Sequence, residues 1–296
     1  MAAYEDRFWW SNDGIRLHAR DYAPRDAAAA AGRPTILCLP GLTRNARDFD
    51  TLAARLSAEW RVVVINFRGR GESGYAKDSM SYVPLIYVQD VEKLLGELGI
   101  DHYVAIGTSL GGIVAMLLAG TGHGRMAGAV LNDVGPEVEP AGLSRIRSYV
   151  GRASTWPTWM HAARALADAN GDVFPAYQIT DWLGMAKRLY RLTGSGRIVL
   201  DYDPKIAEPL KVPGNEAGPD MWRALDRLKG VPVLVVRAER SDILSPAVAE
   251  QMVARLGDAT LVTVPGVGHA PTLEESEAVT AIVVLLAQVA KEPGVA

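Results

Sequence analysis

Gly107-Thr108-Ser109-Leu110-Gly111 sets a serine between glycines in the spacing G-x-S-x-G. A serine hydroxyl is a weak nucleophile unless a base takes its proton as it attacks. A histidine is the natural base at neutral pH. His269 closes Gly266-Val267-Gly268-His269, directly after an apolar run at 260–264, and before a helical pattern. His18, His102, His123 and His161 hold no comparable place and read as ordinary surface or core residues. The imidazole in turn needs a carboxylate that fixes its tautomer and stabilises its charged form. Asp242, at the end of Arg237-Ala238-Glu239-Arg240-Ser241-Asp242, is the leading candidate. Asp133, in Leu131-Asn132-Asp133, ranks second, and Glu239 third. Each residue alone has a plainer reading: a serine is a good helix N-cap, and an aspartate a loop carboxylate. Together they point to nucleophilic acyl transfer.

Such side chains must be presented by strand ends. Residues 7–10 and 15–22 flank Asp13-Gly14, a hairpin signal. Short apolar runs then recur at 35–39, 61–67, 103–106, 128–131, 231–236 and 260–264. Helical periodicity occupies 83–98, 109–119 and 273–289. Apolar strands separated by amphipathic helices imply a mainly parallel sheet covered on both faces. Ligands of such sheets bind beyond the carboxyl ends of the strands. Ser109, Asp133, Asp242 and His269 all stand just after a run of this kind. The alternation lapses between 136 and 224, where short helical patterns and four tryptophans (Trp156, Trp159, Trp182 and Trp222) replace it. This divides the chain into a core, 1–135 and 225–296, and a mostly helical cap, 136–224.

Composition sets wide limits. The chain has 296 residues, 49% hydrophobic and 22% charged, with a net charge of −3. That is ample for a sizeable buried core. No basic run suggests a nucleic-acid partner. The only cysteine is Cys38, so neither an internal disulfide nor a cysteine zinc site can form. Residues 1–10 carry Glu5, Asp6 and Arg7 and lack the apolar run of a secretory signal. The longest apolar stretch, 278–290, is shorter than the roughly 20 residues a membrane span needs. A cytoplasmic location is the expectation, without membrane association.

These residues resemble the α/β-hydrolase superfamily across almost the whole chain, and within it the bacterial esterases, lactonases and C–C-bond hydrolases. Leu39-Pro40-Gly41-Leu42 is similar to the family's H-G-x oxyanion loop, with Pro40 in place of histidine. Phe67-Arg68-Gly69-Arg70-Gly71-Glu72-Ser73 resembles its D-x-R-G-x-G-x-S loop, with Asn66 where aspartate is usual. The order serine, acid, histidine matches the family as well. The resemblance implies an α/β-hydrolase fold with a mostly parallel central sheet and a helical cap, a structural role for Arg68, and no cofactor or metal. It also implies an oxyanion hole from the backbone N–H groups of Leu42 and Leu110.

The expected reaction is hydrolysis of a small ester or lactone. Ser109 attacks the carbonyl, His269 takes the proton, and water then releases the acyl group. Cleavage of a diketone C–C bond, peracid formation by a cofactor-free perhydrolase or haloperoxidase, and ligand binding without turnover remain open. Trp156, Trp159, Met160, Trp182 and Met185 suggest an apolar or aromatic pocket for a small-molecule substrate, or else form the cap's own core.

Overall fold

A computed structural model describes residues 3–122, 124–212 and 220–291. His123 lies outside the described residues, as do parts of all three expected segments. The chain opens with the antiparallel hairpin β1 (Glu5–Trp10) and β2 (Arg16–Tyr22), turning through Gly14. The short α1 (Ala27–Ala30) leads to β3 (Thr35–Leu39), α2 (Asp50–Leu56), β4 (Val62–Asn66) and α3 (Pro84–Glu97). Then come β5 (Tyr103–Thr108), α4 (Leu110–Leu118) and β6 (Met126–Asn132). After a long inserted segment the sheet resumes with β10 (Val233–Ala238), α9 (Pro246–Leu256), β11 (Ala259–Val264) and α10 (Ser276–Val289).

The eight strands form one sheet in the order β1-β2-β4-β3-β5-β6-β10-β11. Only the pairings of β2 with β1 and β4 are antiparallel; all others are parallel. This is the α/β-hydrolase fold that the resemblance implies. From β3 the chain first adds β4 on one side and then returns to place β5 on the other. The crevice where strand order reverses therefore lies between β3 and β5, at their carboxyl ends.

Strand alternation divides the core into two layers. Leu37, Leu39, Val63, Ile65 and Ala105 face α3, α4 and α9, while Ile36, Cys38, Val62, Val64 and Ile106 face α2 and α10. Being covered on both faces is why these strands are apolar at nearly every position. Each fully buried Val, Ile or Leu contributes about 1.5–3 kcal/mol. Register aligns the strand ends: Leu39 pairs with Gly107, Gly107 with Leu131, and Asn132 with Val236. The loops that follow emerge along one edge.

The inserted segment holds α5 (Pro140–Tyr149), β7 (Thr155–Trp156), α6 (Trp159–Asn170), α7 (Ile179–Leu189), β8 (Tyr190–Leu192) and β9 (Ile198–Leu200). The strands form a small antiparallel sheet in the order β7-β9-β8. Sequence periodicity misses it because its strands are two or three residues long. The segment has its own apolar cluster around Ala162, Leu166, Phe174, Trp182 and Ile198. The last helix, α8 (Met221–Asp226), straddles the expected boundary at 224, and its Leu225 packs in the main core. Residues 221–224 thus belong with the sheet, not with the insertion. Among the described residues no helix is long and apolar enough to cross a membrane.

Candidate active site

Ser109 sits between β5 and α4 with φ 52° and ψ −116°, a backbone conformation that side chains rarely adopt. Such geometry costs on the order of 1–3 kcal/mol, held in place by the surrounding structure. The flanking glycines are required by close approach. A Cβ at Gly111 would overlap the Leu39 carbonyl, and one at Gly107 would overlap the backbone of Gly111 and Gly112. The Ser109 N–H donates to the Asn132 carbonyl (2.9 Å), tying the turn to β6.

His269 Nε2 lies 3.0 Å from Ser109 Oγ, and His269 Nδ1 lies 2.8 Å from Asp133 Oδ2. A carboxylate only accepts, so Nδ1 carries the proton and Nε2 turns its lone pair to the serine hydroxyl. Asp133 is fully buried and also has positive φ, 54°. Its Oδ1 accepts the Ala238 N–H (2.9 Å), and its Oδ2 also accepts the Ser241 hydroxyl (2.8 Å). Ser241 Oγ in turn accepts the N–H groups of Ile243 and Leu244. These bonds satisfy a carboxylate that has no access to water.

The leading sequence candidate for the acid is therefore corrected. Among the described residues, Asp242 makes no hydrogen bond or ion pair to His269, whose Nδ1 is taken by Asp133. Arg145, on α5, donates Nε (2.5 Å) and Nη2 (2.7 Å) to its two oxygens. Those bonds hold the Asp242 carboxyl below the ordinary aspartate range, against the opposing effect of burial. Asp133 leaves β6, the strand beside the serine's own, and so reaches the imidazole first. Glu239, the third candidate, accepts the Gly266 N–H (2.7 Å) and steadies the histidine loop from outside. The order serine, acid, histidine survives the exchange.

Several supporting residues gave no sequence signal. Asn132 Nδ2 donates to the Pro271 carbonyl (2.9 Å), and the Gly268 N–H donates to the Val173 carbonyl (2.8 Å). Both bonds fix the loop that carries His269. Leu110 opens α4, so its N–H has no partner within the helix. A Cβ at Gly41 would lie 3.8 Å from Ser109 Cβ, which brings the 40–42 loop beside the serine. Arg70 Nε donates to the Leu42 carbonyl (2.9 Å), fixing that loop. The Arg70 guanidinium is buried between the rings of Tyr82 and Tyr87. Arg68 is structural: it pairs with Asp90 (2.7 Å) and Asp13 (2.8 Å). Asn66, in the usual aspartate's place, accepts the Ala46 N–H (2.7 Å) and approaches His18 Nδ1 (2.8 Å).

The profile of the alpha/beta hydrolase family matches residues 36–282. The chain is 36% identical to a 3-hydroxybutyrate-oligomer hydrolase of Cupriavidus necator, over 80% of this chain and 83% of that protein. A 2-(acetamidomethylene)succinate hydrolase of Mesorhizobium japonicum is 25% identical over 80% of this chain and 81% of its own length. The crystal structure of an alpha/beta hydrolase from Novosphingobium aromaticivorans superposes with a TM-score of 0.91 at 56% identity, covering 97% of this chain and 99% of that one. The chain belongs to the alpha/beta hydrolase family. It is a hydrolase.

Above Ser109 and His269 this hydrolase has a cavity of about 600 Å³. Its walls come from the 41–44 loop and from the inserted segment. Of the five candidate pocket residues, Trp156 and Met185 line it. Trp156 stacks on Tyr190, with ring centroids 4.5 Å apart. The other three do not line it. Trp182 is 3% exposed and packs edge-on against Phe174 and Tyr177 inside the segment's own core. Trp159 packs against that same cluster, and Met160 is 38% exposed on the surface. The face of α6 that reaches the cavity carries Ala165, Leu166 and Ala169 instead.

Proposed function

We propose that this protein is a serine ester hydrolase in which Ser109 is the nucleophile, His269 the general base and Asp133 the acid that orients it. The observation that carries the reading is the continuous chain Ser109 Oγ, His269, Asp133, with separations of 3.0 and 2.8 Å. It ends on a fully buried carboxylate just after β6, the strand next to β5 and its nucleophile turn.

As Ser109 attacks an ester carbonyl, its proton passes to His269 Nε2, and Asp133 stabilises the imidazolium. The tetrahedral oxyanion is held by the N–H groups of Leu110 and Leu42. Each such donor contributes roughly 3–4 kcal/mol to the transition state. The imidazolium then protonates the leaving alcohol, and a water activated by His269 releases the acid.

The 3-hydroxybutyrate-oligomer hydrolase similarity supports short aliphatic oligoesters as substrates. The apolar cavity walls suit their hydrocarbon portions, and the inserted segment acts as a cap that screens the acyl-enzyme from bulk water.

Fluorophosphonate labelling, read by peptide mass spectrometry, tests the nucleophile without knowledge of the substrate. Label is expected on Ser109 alone and absent from His269→Ala and Ser109→Ala. Labelling elsewhere, or full esterase activity in Ser109→Ala, overturns the assignment.

A further inference from the structure

We propose that Arg152 and Arg44 bind a free carboxylate on the substrate, so that the enzyme prefers anionic esters to neutral ones of the same shape. The inference rests on the assignment of ester hydrolysis to Ser109, and it adds the substrate's charge.

Three arginines line the cavity that contains Ser109 and His269: Arg44, Arg145 and Arg152. Among the described residues, no aspartate or glutamate lines it. The arginines differ in how they are occupied. Arg145 gives Nε and Nη2 to Asp242. Arg44 meets Asp48 with Nε 3.2 Å from Oδ2. Its two terminal nitrogens have no hydrogen-bond partner among the described residues. The Arg152 side chain is exposed, with neither a hydrogen-bond nor an ion-pair partner among the described residues. Among the described residues, two carboxylates, Asp48 and Asp242, thus face three guanidinium groups, leaving one positive charge uncompensated at the cavity wall.

Most of the remaining wall is apolar, including Leu166, Phe174, Met185 and Leu200. A cation beside low-dielectric walls attracts an anion more strongly than it would in open water. A guanidinium offers paired N–H donors that match the two oxygens of a carboxylate. A neutral ester makes no use of this feature. An ester with an apolar body and one carboxylate does, and an oligomer of a hydroxy acid has that form, with one free carboxyl end.

Two matched pairs of substrates test the inference. Mono-4-nitrophenyl glutarate against 4-nitrophenyl glutaramate places the charge on the acyl side. 4-Carboxyphenyl butyrate against 4-carbamoylphenyl butyrate places it on the alcohol side. Each pair differs in charge and hardly in shape. In at least one pair kcat/KM is expected to favour the anion by about 10- to 100-fold, the effect of a charge-assisted hydrogen bond. The preference should shrink towards one in the double variant Arg44→Gln/Arg152→Gln, melting at the wild-type temperature. Both side chains lie at a cavity wall rather than in the core, so their replacement tests recognition, not folding. Equal rates within both pairs, or a preference that survives the double variant, overturn the proposal.

Fluorophosphonate labelling of Ser109 separates the two levels of the argument. Labelling without charge preference removes the carboxylate site and leaves the serine hydrolase. If Ser109 does not label, calorimetric binding of the 3-hydroxybutyrate ion against 3-hydroxybutyramide decides alone. Selective binding of the ion, lost in the double variant, supports the arginine site, and equal binding overturns it.

Discussion

The sheet and the segment inserted between β6 and β10 solve different problems with the same chain. In the sheet, the central strands are sandwiched between two apolar layers, and the groups proposed to react follow strand ends whose register is fixed by backbone pairing. Ser109 and Asp133 are held in positive-φ conformations directly after β5 and β6. The inserted segment relies on a smaller cluster, a three-stranded sheet and a few polar ties, among them Arg188 to Glu274 (2.6 Å) and Arg47 to Asp201 (2.6 Å). It supplies cavity wall and none of the three side chains proposed to react. The contrast teaches that changes in the sheet should act on kcat, whereas changes in the segment should act on KM, substrate choice and stability.

The sharpest way to break that contrast is at the nucleophile. Ser109→Ala should lower kcat by about 10⁴-fold or more while leaving the melting temperature at or above the wild-type value. Asp133→Asn comes next. It should cost roughly 10³–10⁴-fold in kcat, because an amide can hold the imidazole in the wrong tautomer. Steady-state kinetics on a chromogenic ester reads both. If Asp242→Asn showed the larger loss and Asp133→Asn little, the acid assignment would fall.

A core change within the segment should behave differently. Trp182→Ala should destabilise by about 3–5 kcal/mol, as for other buried tryptophans. Its signature would be a lowered denaturation midpoint and a raised KM, with kcat falling less than in Asp133→Asn. The smallest expected effect belongs to Asp242. Its folded-state pKa is lowered by Arg145, so its pair stabilises the fold above the ordinary aspartate range. That stability is lost as pH falls through the lowered folded-state value. Asp242→Asn should therefore melt earlier than wild type at neutral pH, and the gap should close on acidification. Its kcat should stay within about tenfold of wild type. Melting curves across pH check this.

Much of the sheet was legible because strands buried on both faces read as nearly continuous apolar runs. β3 could be bounded to the residue for that reason. The serine and the histidine were legible as candidates because each follows such a run. The acid was less so, since two aspartates also follow strands. What separates them is Arg145, almost one hundred residues away in sequence from Asp242 and on a different element. Nothing in the local pattern of Ser241-Asp242 announces that its carboxylate is already occupied. The same holds for the pocket. Trp159, Met160 and Trp182 are of the right type, but their direction depends on how α6 and α7 pack against each other. Ser241 and Asn132 act through a few side-chain hydrogen bonds, which leave no periodicity to read.

The hydrogen bond from Gly268 to Val173 has a consequence for recombination. The residue before His269 is held by the carbonyl of a residue that belongs to the inserted segment. A side chain at 268 would also run into Val173. A chimera that exchanged this segment for another family member's would thus inherit a foreign neighbour against its own histidine loop. Successful grafts should be those that carry the 266–270 loop along with the segment, so that roof and base are passed on as a pair.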